Sequence, residues 1–262
     1  MRLTIVGPGR AGGSIAIAAV RVGHTISGVL SRSGDTSFGP PIGTSDPLPE
    51  SDLLLIAVRD DAIAQVAEGL ADKAGSIPVA AHLSGFVPIT SLRALSEKGV
   101  SIGGFHPLQT LPDPQRGADA LAGSFVGIDG DALALDVLTY LASSLRMEPF
   151  RLDDTIRPAY HAAAAAASNF VLTALATSGD LFESAGVDPR VARPLVERAV
   201  ANFYDQGALA LTGPIARADT DTVIGHLEAA RTVSEDVGRQ FRLMAEATAI
   251  RAGRADEVGS WR

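Results

Sequence analysis

The chain has 262 residues, of which 46% are hydrophobic and 20% charged, and its net charge is −8. That balance suits a core-forming protein of one large domain or two ordinary ones, and it argues against duplex nucleic acid or an anionic membrane surface as the main partner. Cysteine is absent, which excludes disulfides, thiolate catalysis and thiolate metal sites; no metal site is expected. MRLTIVGPG runs straight into a strand-like segment with no visible leader peptide, and no apolar run approaches the roughly 20 residues of a membrane span, so a cytoplasmic protein is expected. Only Lys73 and Lys98 are lysines, so any mechanism needing a lysine in the second half is excluded.

In chain order, RLTIV (2–6) reads as a buried strand. GPGRAGG (7–13) is a glycine-rich turn, and SIAIAAVRVG behind it has helical spacing and stops at Gly23. TISGVL (25–30) reads as a second strand. The Gly-, Pro- and Ser-rich segment that follows has no helical period and leaves no room for a full crossover helix. DLLLIAV (52–58) is continuously apolar, as expected of a strand covered on both faces. AIAQVAEGLA reads as a helix, IPVAAHL (77–83) as a strand, ITSLRALSEKG as a helix and VSIGGFHP (100–107) as a strand. FVGIDG (125–130), DALALDVLTYLASSL and MEPFRL complete the series as strand, helix and strand. Alternating strands and helices imply a doubly wound α/β domain of Rossmann-like type, with a mostly parallel sheet. After residue 152 the segments are all helical: one from Pro158 to about Gly186, then Pro189 to Leu211, Asp219 to Ala230 and Thr232 to Ala252, with a step at Arg231. The expected organisation is a dinucleotide-binding domain at 1–152 and an all-α domain at 153–262.

Gly7, Gly9 and Gly12 satisfy G-x-G-x-x-G in the required place, between a strand and a helix. The first glycine permits the tight turn, the second lets a pyrophosphate approach the backbone, and the third lets helix pack on sheet. The helix N-terminus then offers free N–H groups and positive dipole to the phosphates. Gly7, Pro8, Gly9, Arg10, Ala11 and Gly12 are therefore expected to contact a dinucleotide. Where an NAD site usually has a carboxylate, the second strand ends in Ser31, Arg32 and Ser33. These residues suit a 2′-phosphate, which favours NADP(H). Val58 and Arg59, at the end of the third strand, are expected beside the cofactor. Asp60 either touches it or caps the next helix.

Hydride transfer to a carbonyl needs a proton donor and groups that hold the substrate. Ligands of doubly wound sheets sit at the carboxyl ends of strands, which directs attention to His82, Ser84 and His106; His82 is either site or packing. His24 reads as a surface residue or a helix C-terminal cap, and His226 as an exposed residue. His161 and Asn169 bracket six alanines in YHAAAAAASNF. They stand roughly 12 Å apart along a helix axis, too far to grip one atom. The alanines themselves are explained by helix propensity and close packing. Arg217, beside a helix start that Asp219 can cap, suits a substrate carboxylate or a structural pair with Asp219.

The fingerprint, the SRS that follows, HLSG (82–85), GFHPLQTL (104–111), YHAAAAAASNF (160–170) and LTGPIARADTDTV (211–223) together resemble a group of oxidoreductases. It joins a Rossmann-like domain to a helical half known as domain of unknown function 2520. More distantly the chain is similar to the 6-phosphogluconate-dehydrogenase-like superfamily, including ketopantoate, pyrroline-5-carboxylate and deazaflavin-dependent NADP reductases. The resemblance implies a homodimer through the helical halves. In ketopantoate reductases the corresponding helix carries a catalytic lysine four residues before an asparagine. Aligned through Asn169, this chain offers His161 or Ala165 there, so the lysine mechanism does not carry over and His161 is the substitute acid. Relatives tend to have glycine where this chain has Ala218, which removes the expectation of a positive φ there. The resulting expectation is an NADPH-dependent reductase of a small oxo acid, ketopantoate-like by analogy. His161 and Asn169 are its catalytic candidates, and Ser84, His106 and Arg217 its substrate-binding candidates. The rivals are a non-catalytic dinucleotide-binding regulator and a deazaflavin-dependent NADP reductase.

Overall fold

A computed structural model of the chain describes residues 1–32, 34 and 37–261. Among them, seven strands form one sheet in the order β2-β1-β3-β4-β5-β6-β7. The strands are β1 (Arg2–Val6), β2 (Thr25–Leu30), β3 (Leu53–Ile56), β4 (Val79–His82), β5 (Ser101–Leu108), β6 (Phe125–Gly130) and β7 (Glu148–Arg151). β1 to β5 are parallel, while β6 pairs antiparallel with β5 and carries β7 with it. The fold is the Rossmann-like α/β arrangement expected, with its last two strands reversed.

The unbroken apolar run of β3 is explained by its two buried faces. Leu53 and Leu55 join Leu3, Ile5, Val79, Ala81 and Phe105 on one side, against α1 (Arg10–Arg21), α4 (Pro114–Leu121) and α5 (Ala132–Ser144). Leu54 and Ile56 face the other way with Val6 and Ala80, against α2 (Ile63–Leu70) and the one-turn α3 (Arg93–Ser96). α4 occupies a stretch in which the periodicity indicated no element. Its start signal is complete, since Asp113 accepts from the Arg116 N–H and Pro114 fills the first turn. No helix forms among the described residues between β2 and β3; instead Pro40 and Ile42 add backbone hydrogen bonds to Val29.

The strands end at Arg151, and the remaining elements are helical. They are α6 (Arg157–Ala165), a π-helical turn Ala166–Phe170, α7 (Val171–Ser184), α8 (Arg193–Gln206), α9 (Thr220–Val233) and α10 (Glu235–Arg251). The chain divides into two compact units, Met1–Ala165 and Ala166–Arg262, so all of α6 belongs with the α/β unit. In the second unit α9 and α10 pack through Val223, Leu227, Ala245 and Ala249, with Trp261 against them. α9 continues past Arg231 to Val233; the break falls at Ser234, whose hydroxyl accepts from the Val237 N–H and starts α10.

Three further expectations change. Arg157–Ser184 is one helix of 28 residues, long and apolar enough by length and composition to cross a membrane; its alanines raise the hydropathy without forming a bulky apolar run. None of Ala162 to Ala167 is buried, so close packing within the chain does not account for them. His24 is buried instead of exposed: Nδ1 meets the Met1 amine at 3.1 Å and Nε2 meets Ser144 Oγ at 2.7 Å.

Candidate functional site

Two sets of residues gather at the carboxyl ends of the strands of the α/β unit. The first lies at the end of β1, which has β2 on one side and β3 on the other. A cavity of about 600 Å³ opens there. Gly7, Gly9, Ser31, Arg32, Val58 and Arg59 line it, and Val66 and Leu70 of α2 supply an apolar wall. Pro8, Arg10, Ala11 and Gly12 are outside that lining, and Ser33 is outside the described residues.

The glycines have separable reasons. Gly7 has φ +86, and a Cβ there would stand 2.8 Å from the Ala57 carbonyl oxygen. At Gly12 a Cβ would stand 2.4 Å from the Gly7 oxygen, so this position sets how closely α1 packs. At Gly9 a Cβ would meet nothing within 4 Å. Among the described residues nothing in the packing asks for glycine at this position, whereas a phosphate approaching the backbone would. Gly9 caps α1 without any side-chain hydrogen bond, and no acidic residue sits in the first turn. The N-terminal N–H groups thus remain suited to an anion, and the residues present fit a dinucleotide. Arg59 is paired with Asp61 through two hydrogen bonds of 3.2 and 3.0 Å. Asp60 begins a 3-10 turn and caps neither it nor α2.

The second set is built on the turn after β4. The Ser84 N–H donates to His82 Nδ1 at 3.2 Å, which assigns the proton of the neutral His82 ring to Nε2. Ser84 Oγ accepts from the Phe86 and Val87 N–H groups at 3.1 and 2.9 Å. The proposed substrate-binding serine is therefore a turn-builder first. Gly85 allows close approach: a Cβ there would come within 2.8 Å of the His106 ring. The HLSG motif thus shapes a seat for His106, delivered from β5.

His106 Nδ1 meets Tyr160 Oη at 2.7 Å. His161, next on α6, stands with its ring 6.0 Å from His106 and 6.1 Å from Phe86, which is 50% exposed. The His161 Nδ1 is buried and makes no hydrogen bond among the described residues. Burial first, then the neighbouring His161 and Arg157, pushes the His106 pKa down to about 4. Burial, reinforced by Arg157, does the same to His82, also to about 4. Burial raises the Tyr160 phenol to about 12. At neutral pH the cluster therefore presents two uncharged imidazoles and a protonated phenol. A phenol that loses its proton there can be stabilised by a His106 Nδ1–H.

Tyr160 is the residue that sequence reasoning passed over. It stands inside the YHAAAAAASNF motif, but its partner lies 54 positions away. Arg157 and its acidic neighbour Asp129 were likewise not singled out. In the second unit Asn169 lies exposed in the π-helical turn. Asp219 caps α9 by accepting from the Thr222 N–H at 3.3 Å. Arg217 is exposed and forms no ion pair among the described residues, and Ala218 does take a positive φ of 59 despite its Cβ.

The comparisons agree with this fold. A Bacteroides fragilis protein provisionally described as an NADP oxidoreductase is 24% identical, with a TM-score of 0.80, over 95% of this chain and 98% of that one. A Myxococcus stipitatus imine reductase in complex with NADP+ is 16% identical, with a TM-score of 0.68, over 99% and 95% of the two chains. A Plasmodium falciparum pyrroline carboxylate reductase with NADP bound is 12% identical, with a TM-score of 0.64, over 96% and 98%. No curated protein matches the sequence. Residues 124–248, which include β6 and β7 and most of the helical part, match a domain of unknown function, DUF2520.

Proposed function

We propose that the protein is an NADP(H)-dependent oxidoreductase acting on a C=O or C=N group. The observation that carries this reading is the cavity gathering Gly7, Gly9, Ser31 and Arg32 at the ends of β1 and β2. The similar folds of the NADP-bound imine and pyrroline carboxylate reductases support it. When bound, the nicotinamide supplies or accepts the hydride. Gly7 and Gly9 give the pyrophosphate access to backbone N–H groups at the start of α1, and Arg32 with Ser31 pairs with the 2′-phosphate. Tyr160 is the proton donor in reduction, with His106 holding its oxygen; His161 and Phe86 border the same place. In the helical unit Asn169 and Arg217 remain the substrate-orienting candidates, Arg217 suiting a carboxylate if the substrate is a small oxo acid.

The helical unit takes part as a dimer surface. Phe170, Leu172, Leu195, Phe203, Tyr204 and Leu209 are all exposed, and a second copy of the chain is the partner assigned to them. The test of the function is titration with NADPH and NADH, followed by absorbance at 340 nm with 2-oxo acids, cyclic imines and an oxidised deazaflavin. Turnover of an acid or imine supports the reductase reading. Tight NADPH binding with no turnover of any of them returns the protein to the class of dinucleotide-binding regulators.

A further inference from the structure

We propose that Arg157 is a positioning residue, locking the first turn of α6 onto the sheet so that Tyr160 meets His106; this rests on the reading of Tyr160 and His106 as the reacting pair. Arg157 is 1% exposed, the largest fully buried side chain among the described residues. Its Nε donates to Asp154 Oδ1 at 2.6 Å and its Nη1 donates to the Ser84 carbonyl at 3.2 Å. Its Nη2 lies 3.9 Å from Asp129 Oδ2 on β6. Gly104 of β5 makes the room, since a Cβ there would stand 2.7 Å from Nη2. One guanidinium thus ties α6 to the loop before it, to the turn after β4 and to β6, while lying against β5.

Each tie bears on the reacting pair. Asp154 also accepts from the Ile89 N–H at 3.1 Å, holding the far end of the turn that carries Ser84 to Val87. Tyr160 is three residues beyond Arg157, so both side chains project from neighbouring positions of one helix face. His106 is two residues beyond Gly104, on the same face of β5. A rotation of α6 about its axis would part Tyr160 from His106. A fork with five fixed donors opposes that rotation where a flexible ammonium would not.

The charge acts as well. The titratable and charged groups around His106 are His82 on β4, Tyr160, His161 and Arg157 on α6, and behind Arg157 the carboxylates Asp154 and Asp129 with Arg151 of β7. A buried positive charge in that set disfavours a second one on His106. Full ion pairing alone would also explain a buried arginine. It would not by itself bring the guanidinium to the Ser84 carbonyl and against Gly104, beside the strand that carries His106.

The experiment compares Arg157→Lys, which keeps charge but not the fork, with Arg157→Met, which removes both. Histidine side-chain NMR of the unliganded full chain is followed from pH 8 to pH 4, beside NADPH affinity, kcat and KM. In the native protein His106 stays neutral until about pH 4. In Arg157→Met its midpoint is expected to rise by about one pH unit. Arg157→Lys is expected to lose roughly 10- to 100-fold in kcat, with KM and NADPH affinity within about threefold. Asp154→Asn, milder at the same contact, takes the place of Arg157→Met should that variant not fold, and is expected to alter the His106 resonance through the loosened turn. A folded Arg157→Lys with native kcat overturns the proposal. So does a folded Arg157→Met, or Asp154→Asn in its place, whose His106 spectrum and titration are native. Absence of turnover in the native enzyme would count against the reductase reading, while the NMR comparison would still decide the role of Arg157.

Discussion

The two units of the chain bury their apolar residues very differently. In the α/β unit both faces of the sheet are covered, and even β3, four consecutive apolar residues, is wholly enclosed. In the helical unit Tyr204 and Leu209 are 81% and 86% exposed, and α8 has no buried residue. A domain with a closed core can fold on its own contacts; exposed apolar patches of this kind mark an interaction surface. The α/β unit therefore encloses its own core, whereas the helical unit leaves an apolar face for which a second copy of the chain is the proposed partner.

The sharpest way to break this contrast is at the helical surface. Phe203→Asp with Leu209→Glu changes nothing buried within a single chain. The double variant is expected to sediment as a monomer, at concentrations where the native chain sediments as a dimer. If the native chain is itself monomeric at micromolar concentration, the exposed face needs a different partner and the contrast between the units loses its explanation.

Inside the α/β unit the largest expected loss is at the phenol. Tyr160→Phe keeps the ring against Phe150 and His106, whose centroids lie at 5.7 and 5.4 Å, and deletes only the hydroxyl. General acid catalysis contributes about 10²- to 10⁴-fold, so kcat should fall by that order while the dinucleotide Kd stays put. A kcat within about threefold of native would transfer the donor role to His161, the neighbour that the sequence alone favours.

That difference between Tyr160 and His161 also measures how far the site was legible. Local signals were readable: the fingerprint glycines, the strand ends, the cap at Asp219 and the stop at Gly186 all depend on a few adjacent residues, although the equally local cap at Asp113 went unread. Partners distant in sequence were not. Tyr160 looks like any helix-face tyrosine until β5 places His106 against it. Arg157 reads as a solvated residue of a first helical turn until Gly104 and Ser84 surround it. His24 looks like a helix-end surface residue until α5 covers it. In each case burial was decided by a segment that carries no local mark of the contact.

The buried histidines give a medium-sized effect with a definite sign. His82 is 0% exposed and its pKa falls from 6.5 to about 4 on folding. Below pH 6.5 the unfolded chain therefore takes up a proton that the folded chain refuses. Stability is full above that pH and is lost as the pH falls toward 4. A displacement of that size is worth roughly 3 kcal/mol; His106, partly exposed, adds a smaller, screened share. Urea midpoints between pH 7.5 and pH 4.5 should decline accordingly. The decline should be shallower in His82→Asn, whose side-chain oxygen can still accept from the Ser84 N–H. An unchanged slope in that variant would mean that the acid sensitivity arises elsewhere.

The smallest effect tests the other end of the α/β unit, where the proposed contact to the 2′-phosphate lies. Arg32 is exposed in the cavity rim and has no ion pair among the described residues, so its removal should leave stability unchanged. A charge-assisted hydrogen bond to a phosphate contributes about 1.5–3 kcal/mol. Arg32→Ala should then weaken NADPH binding roughly 10- to 100-fold and leave NADH binding as it was. Gly9→Ala makes the complementary comparison: a Cβ there meets nothing among the described residues, so the fold should tolerate it while both dinucleotides bind less well. Loss of both cofactors in Arg32→Ala would mean that Arg32 shapes the cavity and does not read the phosphate. Unchanged affinity in Gly9→Ala would mean that the pyrophosphate does not approach the backbone at Gly9, and the fingerprint would then be a packing motif fixed by Gly7 and Gly12 alone.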